Sequence, residues 1–196
     1  MAVLFYLPVI LGCLLYLVWS GGAYALETRT VGEDPLVGLG LGLLAAAPMV
    51  GISQAVVGRI GVFRRLGRAL AGITGPMSWS PCLLLAASAS VGEELLFRAV
   101  IQEHLGLAVG VLLFAAAHVP MERDLWLWPV LALGAGLIFG GLYEATGAAL
   151  ASTVAHFVVS LLNLRFLGQR FGVQSASMGS STRPPRSPTR LRPPSP

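Results

Sequence analysis

Six runs of apolar residues, most of them near the length of a bilayer crossing, dominate this chain and leave little room for any other architecture. A membrane helix needs roughly 20 mainly apolar residues, and the runs cover residues 3–25, 36–58, 81–104, 105–120, 125–146 and 147–167. Only 11% of residues are charged, against about a quarter in soluble domains. The expected fold is therefore all-α, a polytopic membrane bundle of about six transmembrane helices. The third and fourth runs are joined by almost nothing, which predicts an antiparallel hairpin, and the fourth is short. The fifth and sixth meet at Glu144–Gly147 in the same way.

Charge between the runs sets the expected orientation. The first connection carries Arg29 against Glu27, Glu33 and Asp34, whereas the second carries Arg59, Arg64, Arg65 and Arg68 with no acid. The positive-inside rule then places both termini and the Arg59–Arg68 stretch in the cytoplasm, and the expected location is a bacterial inner membrane. Residues 59–70 are amphipathic enough to lie on anionic headgroups, a reading that stands beside a plain topology-setting loop. Ala23-Tyr24-Ala25 resembles a signal-peptidase site, but the first run lacks a basic n-region and is long, which favours an uncleaved helix. From about Gln174 the composition turns to Ser, Pro and Arg, and a tail without fixed structure is expected. Three regions result: N-terminal helices and a basic loop over 1–70, a helical core over 71–170, and the tail over 171–196. Cys13 and Cys82 both lie in apolar runs and read as packing residues. The basic balance is explained by topology, so no nucleic-acid partner is expected.

The third run holds Glu93, Glu94 and Arg98 near its middle. A charge at that depth costs roughly 2.5–3.5 kcal/mol on insertion scales and must face protein or water. Glu94 and Arg98 are four apart with the acid first, a same-face pair. Glu93 points about 100° away, so its carboxylate is left for other work, such as that of a general base. His118 is the only ionisable residue of the fourth run. The sixth run places His156, Ser160 and Asn163 at i, i+4 and i+7 on one face, continued backward by Ser152 or Thr153. In membrane bundles such groups converge on the interior.

Glu93-Glu94-x-x-x-Arg98, Phe114-x-x-x-His118 and His156 on a later helix resemble the three motifs of the CPBP intramembrane endopeptidases. That family includes the CAAX-prenyl protease Rce1 and bacterial Abi proteins. The resemblance covers about residues 71–167. It implies peptide-bond hydrolysis in the bilayer, with Glu93 and His118 activating water and Glu94 and Arg98 holding the geometry. His156 with a neighbouring amide would stabilise the oxyanion. The family pattern has Asn or Asp four residues after that histidine, and here the position is Ser160, with Asn163 one turn further along. A divalent metal held by the glutamate and two histidines is compatible with the resemblance, but the metal-free route is favoured and no cofactor is expected.

The expected activity is an intramembrane endopeptidase acting on a membrane-anchored or lipidated protein or peptide, near a C-terminal signal or a lipidated cysteine. Myxosortase-like relatives are one such subgroup. Two competing readings are a non-enzymatic bacteriocin-immunity or scaffolding protein and, with less support, a proton-coupled transporter using Glu93 and His118 as a relay.

Overall fold

A computed structural model describes the backbone of residues 2–180 and the side-chain surroundings of residues 4–172. Its elements are α1 (Ala2–Thr30), α2 (Pro35–Arg59), α3 (Gly61–Thr74), α4 (Trp79–Glu94), a π-helical segment (Leu95–Gln102), α5 (Glu103–Ala117), a short 3-10 turn (Arg123–Leu125), α6 (Leu127–Thr146) and α7 (Leu150–Ser180). Among the described residues there is no strand, and five helical stretches are long and apolar enough to cross a bilayer. The expected all-α membrane bundle is what the chain forms. The tail expected from about Gln174 lies, from residue 181 onward, outside the described residues, and the α7 backbone runs to Ser180.

One of the five stretches, Trp79–Ala117, is a hairpin. Gly106 has φ 81° and ψ 167°, a backbone state closed to residues with a side chain. In a straight helix the 17 residues from Phe97 to Phe114 would span about 25 Å, yet their ring centroids lie 5.2 Å apart. The chain therefore reverses at Gly106, and α5 runs back along the π-helical segment. The six apolar runs read from sequence are thus five continuous stretches, one of them folded in two.

Side-chain meetings fix the directions of the others. Tyr6 meets Glu93 and Tyr16 meets His104, so α1 and α4 run together. Glu94 meets His156 while Arg165 stacks over Trp79, so α7 runs against α4. On α2, Gly38 lies by Leu150 and Ser53 by Asn163, so α2 runs with α7. Apolar burial does not drive helices together in lipid; close packing of small residues does. The buried residues of α2 are Gly38, Gly42 and Ala46, a stripe at intervals of four. A Cβ on Gly42 would lie 2.6 Å from the Ala151 carbonyl oxygen, so this backbone approach on α7 requires glycine.

The ends of α2 and α7 gather with α3 at one end of the bundle, carrying Arg59, Arg64, Arg65, Arg68 and Arg170. At the other end Arg29 pairs with Glu103 at 3.3 Å, near Tyr143. Leu66, Gly67 and Ala71 of α3 are buried, leaving its arginines on the outer side.

Candidate active site

Glu93 and Glu94 are the last two residues of α4, and the π-helical segment begins immediately after them at Leu95. A π-helix inside an α-helical run is uncommon and tends to sit at functional positions. Here it keeps Glu94, Arg98 and Gln102 on one line. Arg98 Nε donates to Glu94 Oε2 at 3.0 Å, and Arg98 Nη1 donates to Gln102 Oε1 at 3.2 Å. Gln102 Nε2 in turn donates to the Gly140 carbonyl at 3.0 Å and to Glu144 Oε1 at 2.9 Å. Glu94 and Arg98 are completely buried, and the guanidinium lies 5.1 Å from the Phe114 ring centroid. The self-paired Glu94–Arg98 expected from helical phase is present.

Glu93 has different company. Tyr6 of α1 donates its hydroxyl to Glu93 Oε1 at 2.5 Å. The Tyr6 ring occupies space that Gly92 leaves open, since a Cβ there would lie 2.9 Å from Tyr6 Cδ1. The second oxygen, Oε2, is buried and makes no hydrogen bond among the described residues. It faces His118 Nε2 at 3.8 Å and His156 Nε2 at 3.9 Å.

Both imidazoles are oriented from behind. His118 Nδ1 donates to the Phe114 carbonyl at 2.8 Å, and His156 Nδ1 donates to Glu94 Oε1 at 2.9 Å. A carbonyl or carboxylate oxygen can only accept, so both Nδ1 atoms carry the proton and both Nε2 atoms are turned to Glu93. His156 also stacks on Phe139 at 5.0 Å, and His118 packs 4.6 Å from Phe114 and 5.9 Å from Trp128. The separations of 3.8 and 3.9 Å are too long for direct hydrogen bonds but leave a position about 2.8 Å from both members of each pair, the reach of a bridging water. Among the described residues no three His, Cys, Asp or Glu side chains are placed to hold a metal ion.

The three groups open onto a cavity of about 690 Å³ that is also lined by Ser160 and Asn163 and otherwise mainly by apolar side chains of α1, α3, α4 and α7. Asn163 Oδ1 accepts from Ser53 Oγ of α2 at 2.9 Å. Glu93, His118, His156, Ser160 and Asn163 thus border one cavity, and Glu94 and Arg98 form the buried network behind it. Tyr6, Ser53, Gln102 and Glu144 were not singled out by their patterns. Gln102 lies four residues beyond Arg98, a readable signal, whereas Tyr6 comes from a distant helix and only the fold brings it in.

A carboxylate, two imidazoles and a hydroxyl around an apolar cavity in a membrane bundle have the layout of a hydrolytic site. Residues 75–162 match the family described as Type II CAAX prenyl endopeptidase Rce1-like, the family that the three motifs resemble. The chain is also 34% identical over 77 residues to an uncharacterised protein, YpbD, of Bacillus subtilis (strain 168). That match covers 39% of this chain and 40% of the relative's length. No solved structure matches it. The family segment includes Glu93, Glu94, Arg98, His118, His156 and Ser160, and stops one residue before Asn163. It also excludes α1, with Tyr6, and α2 and α3.

Proposed function

We propose that this chain is an intramembrane endopeptidase that cleaves a membrane-anchored or lipidated protein or peptide. The observation that carries the reading is the buried, unpartnered Glu93 Oε2 facing two imidazole nitrogens across one water's width. Glu93 takes a proton from the attacking water, while His118 Nε2 orients that water by accepting its other hydrogen. The bond formed is from water oxygen to the scissile carbonyl carbon. The proton taken by Glu93 passes to the leaving amine as the C–N bond breaks. Tyr6 holds the carboxylate so that Oε2 and not Oε1 faces the water.

The oxyanion falls to His156 and Ser160. His156 can donate from Nε2 only as the imidazolium, with Glu94 as its counter-ion through Nδ1. Ser160 stands one turn beyond His156, about 6 Å along the axis, whereas Asn163 is about 10.5 Å along it. With its amide oxygen held by Ser53, Asn163 contacts the substrate further down the cavity. The mainly apolar lining suits an extended hydrophobic peptide or a lipid-bearing one. Positive-inside topology puts the arginine-bearing end in the cytoplasm.

The test is processing of a co-expressed membrane-anchored reporter. Glu93→Gln and His118→Ala should each abolish it while the protein still accumulates folded in the membrane. Intact processing in both variants would remove the protease reading. An immunity or scaffold protein would tolerate Glu93→Gln.

A further inference from the structure

The arginines at the inner ends of α2, α3 and α7 form a cluster that catalysis does not use. Arg68 of α3 lies with its Cζ 5.9 Å from the Phe171 ring centroid, and Arg170 of α7 lies 5.8 Å from the same ring. Arg170 also reaches toward the end of α2, where its Nη2 is 3.9 Å from the position of a Cβ on Gly58. Arg59 follows directly, and Arg59, Arg65, Arg68 and Arg170 are all exposed. Among the described residues the arginine–carboxylate ion pairs involve Arg29 and Arg98, and none involves this cluster. The aromatic faces offset part of the repulsion between crowded guanidinium groups, and an anion seated between them offsets more.

The depth of the cluster identifies the anion. The apolar stretch of α2 ends at Arg59 and that of α7 at Gly172, which puts the arginines where hydrocarbon gives way to headgroups. A guanidinium fork matches phosphate oxygens in pairs, and basic groups at this level bind anionic lipid. We propose that Arg59, Arg68 and Arg170 form a docking site for the phosphate headgroup of an anionic lipid.

The site has a consequence for the cavity. Gly67 packs so tightly on Phe171 that a Cβ there would lie 2.9 Å from ring Cε2, so α3 is seated on the ring that both arginines approach. Leu70 and Thr74, on the same helix, line the cavity that holds Glu93, His118 and His156. A headgroup bound at Arg68 therefore steadies one wall of that cavity, and bilayer composition controls how open the wall is. This inference stands apart from the proposed chemistry, because its test involves no hydrolysis.

The test compares the protein in nanodiscs of phosphatidylcholine with and without phosphatidylglycerol. Two readouts are taken: the thermal midpoint, and the rate of thiol labelling of Thr74→Cys in a background with Cys13 and Cys82 replaced by Ala. Phosphatidylglycerol should raise the midpoint by roughly 3 °C or more through preferential binding to the folded state and slow the labelling. Arg68→Gln with Arg170→Gln should erase both differences. Persistence of both differences in that variant overturns the proposal, as does their absence in the unaltered chain. The same holds if inorganic phosphate added to phosphatidylcholine discs reproduces them, since the ligand would then be a free anion. Should the glutamine variant fail to fold, Arg68→Lys with Arg170→Lys keeps the charge and loses the fork. Its lipid response should be weakened, and an undiminished response also overturns the proposal.

Discussion

Replacing Arg98 with Met tests how the polar interior is held. The side chain is fully buried and has three partners: Glu94 at 3.0 Å, Gln102 at 3.2 Å and the Phe114 ring at 5.1 Å. Methionine fills similar space but leaves the buried Glu94 carboxylate without its cation, facing only His156 and the Ser152 hydroxyl. Breaking a buried pair by removing one member costs about 3–5 kcal/mol, because the other charge is stranded. For a chain of this length that corresponds to a fall in thermal midpoint of roughly 6–20 °C, read by tryptophan fluorescence in detergent. The informative comparison is the double variant Glu94→Gln with Arg98→Met, which removes the stranded charge while its amide oxygen still accepts from His156. It should recover at least about 1.5 kcal/mol of the sum of the two single losses. A fall of less than about 2 °C for Arg98→Met, or strict additivity in the double variant, would refute the view that charge pairing holds this network.

Three further outcomes are expected. Tyr6→Phe keeps the ring in the space beside Gly92 and removes only a charge-assisted hydrogen bond, so kcat should fall about 10- to 100-fold. KM should stay unchanged while the thermal midpoint falls by a few degrees, and a KM effect alone would make Tyr6 a wall of the cavity instead. Ser160→Ala should lower kcat by about 10-fold or more, as loss of an oxyanion donor does, while Asn163→Ala should act mainly on KM; the reverse pattern would reassign the two. A strong chelator should leave reporter processing unchanged, and loss of activity restored by a divalent ion would replace the water-only route with a metal-bound one.

Much of the site is legible in the sequence because helical phase is a local property. The four-residue step from Glu94 to Arg98 and the His156–Ser160–Asn163 face need only 3.6 residues per turn to be read. The reversal at Gly106 follows from two apolar runs with no linker between them. Tyr6 is different: an isolated tyrosine in an apolar helix has no partner until α1 is laid beside α4, and sequence spacing carries no information about that pairing. The stripe Gly38–Gly42–Ala46 shows that α2 packs closely on something, but not that the neighbour is α7. Nor does composition reveal the π-helical segment. Its Arg98 and Gln102 side chains lie against Gly136 and Gly140 of α6, whose missing side chains make room for both, and that juxtaposition is set by the fold.

Beyond Gly106, α5 runs only from Leu107 to Ala117, about 16 Å, and an apolar flank of it that includes Leu112 and Leu113 is exposed. The hydrocarbon core it meets is about 30 Å thick. On this flank the molecule offers a hydrophobic wall roughly half as tall as that of α2 or α7, and a bilayer has to thin, or the bundle to tilt, to match it. The mismatch is set at the level where α5 stops and His118 begins. Thick bilayers should penalise the molecule and thin ones favour it, which makes lipid chain length, independently of headgroup charge, a second way for the membrane to act on this protein.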